Sequence, residues 1–204
     1  VQIGSDNLAE MMMALDSNHM DTLGSASLVD LAGAMTGESL SDMTSDTVGA
    51  LVGSIGSDAV VTNLDGEQLG GMLGAMDADQ LSSTFSAEAL TEVAGKMSGD
   101  EATVMDGESA AVMFEAVITV MEPGEVGNKG SVVDARLVAA MLGTMDPTQV
   151  KDAITPELAA DLAAKMAASD VQLLDSDSAA AMISTMGAVT AATAMNQDSL
   201  ASMI

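Results

Sequence analysis

Cysteine, tryptophan and tyrosine are absent from this chain of 204 residues, phenylalanine occurs twice and histidine once. Without cysteine there is no disulfide frame, no thiolate zinc site and no sulfur nucleophile. Positive charge is nearly as scarce: Lys96, Lys129, Arg136, Lys151 and Lys165 stand against 31 acidic residues, for a net charge of −26. So few cations cannot neutralise a phosphate backbone or hold an anionic bilayer, which excludes nucleic acid and anionic membrane as partners. Long runs of strongly apolar residues are missing too. The longest uncharged stretch, 178–197, is built mainly of Ala, Ser, Thr and Met, short of the roughly 20 strongly apolar residues that cross a bilayer. The chain opens at Val1 with neither initiator Met nor a basic-then-apolar leader, which reads as a processed form or an excerpt.

What is present is unusual in combination. Apolar residues make up 48% of the chain, mean hydropathy is positive, and there are 19 Met and 19 Gly. A chain this apolar can bury enough surface to offset its conformational entropy, so disorder is excluded. A core with almost no aromatic area points away from an ordinary globule.

The chain repeats. Aligned on a small or polar residue followed four positions later by an apolar one, units start at Gly4, Gly24, Thr44, Asp65, Ser86, Asp106, Asp134, Thr155, Asp175 and Asn196, spaced by 20 or 21 residues except for one gap of 28. The fourth, seventh and eleventh positions after each start are apolar, as in Leu69, Met72 and Met76 or Val138, Met141 and Met145. Spacings of three and four residues place them on one helical stripe. The starts suit N-caps, and eight units carry a carboxylate two residues later, favourable against the helix dipole. A polar turn follows, then a shorter apolar pair such as Leu81 with Phe85 or Val150 with Ile154, giving a second, short helix. One such hairpin cannot cover its own apolar stripe. The expected fold is therefore all-α: an α-solenoid of about ten two-helix repeats with a period of about 20 residues, forming a single array over 1–204. Methionine then serves as a pliable filler between helices rather than as a copper ligand.

An insertion at 118–133 interrupts the array; it is a bend, a contact loop or a tolerated addition. Both ends resemble cuts within a longer array. Ile3 sits where Leu23, Met43, Leu64 and Phe85 sit, directly before a start, while Leu200 and Met203 belong to a last unit that lacks its second helix.

Signals for chemistry are sparse. His19 falls in the turn Asp16-Ser17-Asn18-His19 with no partner spacing, and no nucleophile elbow, phosphate loop or dinucleotide fingerprint occurs. The chain is expected not to be an enzyme, and no resident cofactor is expected. Asp77, Asp79 and Glu88 fail as a calcium loop because Leu81 and Ser82 fall where an oxygen ligand and a glycine are needed. Paired carboxylates at Asp65 with Glu67, Asp106 with Glu108 and Asp175 with Asp177 read either as a solvated acidic edge or as weak surface sites for Ca2+ or Mg2+.

A column of small residues is the other candidate. Gly33, Gly53, Gly74, Gly95 and Gly143 recur nine positions after the start, away from the apolar stripe. Glycine inside a helix costs about 1 kcal/mol relative to alanine. Two readings stand: lateral packing by another copy or a protein partner on this Gly/Ala face, or packing by a neighbouring unit of the same chain.

The phrases Met76-Asp77-Ala78-Asp79-Gln80-Leu81, Met145-Asp146-Pro147-Thr148-Gln149-Val150 and Thr155-Pro156-Glu157-Leu158 resemble the short-helix superhelical repeats of magnesium-transporter N-terminal domains, flagellar switch proteins and mesothelin/stereocilin-type surface proteins. That resemblance implies a right-handed α-superhelix used in cation-dependent regulation, scaffolding or surface attachment. The expected function is structural: an acidic helical-repeat subunit of an extracellular or cell-surface filament or array. It would assemble head to tail, and laterally through the small-residue face, with other copies or adjoining repeats. The alternatives are a cation-responsive regulatory or scaffold module and an adhesion module for another protein.

Overall fold

Local chemistry fixes where each helix begins. In the computed structural model, which describes residues 4–15, 17–121, 125–127, 131, 133–187 and 190–191, nine of the ten expected starts are helix N-caps, and the tenth, Asn196, lies outside the described residues. The side chains of Thr44, Asp65, Ser86, Asp106, Asp134, Thr155 and Asp175 each accept a hydrogen bond from the backbone N–H three residues on. Each satisfies a donor that the helix itself cannot, an effect of about 1 kcal/mol.

The described residues form sixteen helices and no strand; a lone bridge pairs Gly127 with Asp134. Long helices open the units: α1 (Ser5–Met13), α3 (Ser25–Gly33), α5 (Ser45–Ile55), α7 (Gly66–Ala75), α9 (Ala87–Lys96), α11 (Gly107–Val120), α12 (Ala135–Thr144), α14 (Pro156–Lys165) and α16 (Ser176–Met186). Short helices follow them: α2 (Ser17–Leu23), α4 (Gly37–Ser41), α6 (Ser57–Asn63), α8 (Ala78–Thr84), α10 (Gly99–Ala102), α13 (Pro147–Ala153) and α15 (Ala168–Val171). Pro147 occupies the first turn of α13, where its missing N–H costs nothing. Between α5 and α6 a single residue, Gly56, turns the chain at φ +91°, a conformation that a side chain resists.

The principal helix–helix contacts join elements no more than four apart in chain order. Their pattern is regular. Short helices pack on the long helix two units further on, as α2 does on α5, α4 on α7, α6 on α9, α8 on α11, α10 on α12 and α13 on α16. Long helices also meet the next long helix, as α9 meets α11. Partners two units apart are about 33 residues apart, and polar bonds mark this register: Gln68 Nε2 donates to the Met35 carbonyl at 2.9 Å, Ser109 Oγ to that of Met76 at 3.2 Å and Ser178 Oγ to that of Met145 at 3.0 Å. These polar groups are buried and need those partners.

The core follows the expected stripe with two departures. At the seventh position Met11 is exposed and Leu31 half-buried, with no described unit two places earlier to cover them, whereas Leu51, Met72, Val93, Met113, Met141, Leu162 and Met182 are all buried. The eighth position, absent from the predicted stripe, is also core: Met12, Ala32, Val52, Leu73, Ala94, Phe114, Leu142 and Ala163 are buried. Having neighbours on two sides widens the buried face of each long helix.

The insertion begins later than the repeat spacing suggests. α11 runs on to Val120 and, at 14 residues, exceeds the 9 to 11 of the other long helices. It continues straight through the position at which other units turn into their short helix. Beyond it, Val126 and Val133 are completely buried, and the Gly127 N–H donates to the Val133 carbonyl at 2.9 Å.

Candidate functional site

The predicted divalent-cation pairs sit at helix N-termini, and one member of each is already engaged. Asp65, Asp106 and Asp175 are the caps of α7, α11 and α16; Asp106 Oδ1 accepts from the Ser109 N–H at 2.7 Å and Asp175 Oδ1 from that of Ser178 at 2.6 Å. Glu67 Oε1 accepts a long 3.4 Å bond from the Gly37 N–H, and Glu108 and Asp177 face solvent. Among the described residues no three acidic or histidine side chains are grouped to hold a metal ion. Asp146 is the cap of α13. Backbone N–H groups of Gln149 and Thr148 donate to it and hold its pKa below the usual carboxylate range.

His19 is exposed and lies inside α2 rather than in the expected turn. Thr22 Oγ1 caps its backbone carbonyl at 2.7 Å.

The glycine column divides. At Gly143 a Cβ would collide with the Leu173 carbonyl, and at Gly74 it would lie 3.1 Å from the Val104 carbonyl, so at these two the chain itself makes the close approach. Gly33 would only graze Leu64, at 4.0 Å; Gly53 has nothing within 4 Å; and Gly95 is exposed. An equally tight backbone approach lies outside the column, where a Cβ on Gly71 of α7 would strike the Gly37 carbonyl at the start of α4. Its sequence signal is a pair of glycines 34 residues apart, visible only once partners two units apart are compared.

Two lysines also act at this register. Lys96 Nζ, at the end of α9, donates to the carbonyls of Val61, Thr62 and Leu64 that close α6. Lys165, at the same position in α14, donates to the Val126 carbonyl at 2.8 Å and pairs with Asp161 at 2.6 Å. The insertion thus offers Lys165 the carbonyl that a short helix would have offered.

Two surfaces stand out for binding. The first is the uncovered end of the first unit. Met11 is 55% exposed and Leu23 42%, whereas the residues matching Leu23 before later starts, Met43, Leu64, Phe85, Met105, Val133, Ile154 and Leu174, are at most 8% exposed. Ile3, Leu200 and Met203 of the predicted end surfaces lie outside the described residues. The second is a cleft of about 460 Å³ beside the insertion, with an apolar floor of Ile118, Val126, Ala153 and Leu158 and a rim of Glu157 and Asp161. A second hollow shares Ile118 and Ala153 and adds Glu115 and Asp152.

No protein family, curated protein or solved structure matches the chain. Among the described residues no helix is long and apolar enough to cross a membrane.

Proposed function

We propose that the protein is a non-enzymatic structural subunit: an α-solenoid of two-helix repeats that associates end to end, through the open face of its first unit, with another copy or adjoining repeats. The observation that carries this reading is the exposure of Met11 and Leu23 at positions buried in every later unit from the third onward. The contact pattern supports a solenoid, because partners lie one or two units away and a surface that receives a repeat inside the chain is repeated, uncovered, at its end. Burying a Met or Leu contributes about 1.5–3 kcal/mol, so two open core positions favour association.

The charge of −26 opposes contact between copies. Salt or divalent cations would relieve that repulsion, and association in a cation-rich extracellular or cell-surface setting follows naturally from it. The carboxylate pairs at Asp65, Asp106 and Asp175 are where weakly held Ca2+ or Mg2+ would collect.

Sedimentation and negative-stain microscopy in calcium and then in chelator test this. The parent should form end-to-end oligomers that calcium promotes, and Met11→Lys combined with Leu23→Lys should leave monomers with an unchanged circular dichroism spectrum. A parent that stays monomeric at every concentration, or a double variant that assembles as the parent does, refutes it.

A further inference from the structure

The cleft beside the insertion lies where α14 would receive a short helix, a place that, among the described residues, Val126 and Gly127 fill only in part, at Leu162 and Lys165. In the regular units, the third position of a long helix receives the chain from two units earlier: Gln68 of α7 donates to the Met35 carbonyl at the entry to α4, with Gly71 against Gly37 beside it, and Ser109 and Ser178 make the equivalent third-position bonds. From the fourth unit onward this third position is buried as Gln68, Ala89, Ser109, Leu137 and Ser178. In α14 it is Leu158, only half-buried, with the half-buried Asp161 beside it. Both line the cleft. The cause is visible two units back, where α11 stays helical to Val120 instead of turning, so no described short helix reaches α14.

The rim selects the occupant. Glu157 and Asp161 border the apolar floor, and Glu115 and Asp152 continue the acidic edge. Asp161 is paired with Lys165, whereas Glu115, Asp152 and Glu157 stand outside the ion pairs of the described residues. A second copy of this chain, with five basic residues among 204, has little positive charge to set against that rim. We infer that this cleft binds a basic amphipathic helical segment of another protein, one or two turns of which seat an aliphatic side chain on Leu158, Ile118 and Ala153 while Lys or Arg residues meet Glu157 and the neighbouring carboxylates. The mode is helix-in-groove recognition, with the chain's own short helices as its template. It goes beyond the end-to-end reading and does not need it, since a monomer presents the same cleft.

The absence of Trp and Tyr makes the test direct. A peptide of about 12 residues, with Leu on one helical face, Lys on the others and a single Trp, reports its own binding to the full chain by fluorescence. At about 0.15 M salt, where exposed charges are screened beyond about 8 Å, binding should saturate. Filling the cleft with Leu158→Phe and reversing the rim with Glu157→Lys should each weaken it by about tenfold or more. The same reversal at Glu88, on α9 and outside the cleft, should leave the affinity unchanged. Glu157 is exposed, so its variant keeps the test decisive even if the Phe variant is poorly folded. Equal losses from Glu88→Lys and Glu157→Lys would reduce the effect to bulk attraction by an acidic surface and overturn the proposal. So would undiminished binding by both cleft variants, or no binding at all.

Discussion

Glycine carries opposite meanings at Gly71 and Gly53, although both lie inside long helices. A methyl group on Gly71 would meet the Gly37 carbonyl, a backbone atom that can yield only if α4 moves, so Gly71→Ala should destabilise the chain by about 1–3 kcal/mol. Gly53 has open space around it, and Gly53→Ala should stabilise by up to about 1 kcal/mol through helix propensity alone. Urea unfolding of the two variants should therefore shift in opposite directions; a shift in the same direction would show that propensity rather than packing governs both. Sequence reasoning placed the special glycines nine positions after each start and so found Gly74 and Gly143 but passed over Gly37 and Gly71. Composition tells where glycine recurs; only the partner's position tells which glycine is crowded.

Elements were more legible than the contacts between them. Seven starts announce themselves through a capping hydroxyl or carboxylate, and each is the cap observed, because that hydrogen bond is local and needs no tertiary information. The eighth-position core residues were hidden for the opposite reason. Met12, Leu73, Phe114 and Leu142 are buried by a neighbour whose direction the spacing does not specify. The acidic edge was legible as a line of caps, whereas the cleft was not, since it depends on α11 failing to turn. At this scale Lys165 is the tie between α14 and the inserted segment. Lys165→Met keeps the aliphatic stem but removes the donor to Val126, and amide hydrogen exchange at Val126 and Gly127 should accelerate while that in α5 and α7 stays constant. Uniform acceleration along the chain would mean that the bond supports global stability rather than the insertion.

For the molecule as a whole, repulsion among carboxylates is the main electrostatic force, because 31 acids face five bases and only two ion pairs join described residues. Raising salt from about 0.01 M to about 0.15 M shortens the screening length from about 30 Å to about 8 Å. The melting temperature should rise over that range, and a fall would show that attractive surface pairs outweigh the repulsion. The proposed solenoid makes this stability cumulative, since interfaces are shared between units rather than gathered in one centre.

The grip of the short helices α2 to α13 on a unit two places away also bears on how such a chain can change length. Duplicating or deleting one repeat would bring together helices that had never touched, at two successive junctions rather than one. Recombination is then tolerated only where the new faces are interchangeable. Flexible thioethers at Met35, Met76, Met145 and Met166, all at the same buried position, supply that interchangeability where rigid aromatic rings would have fixed each unit to a single neighbour.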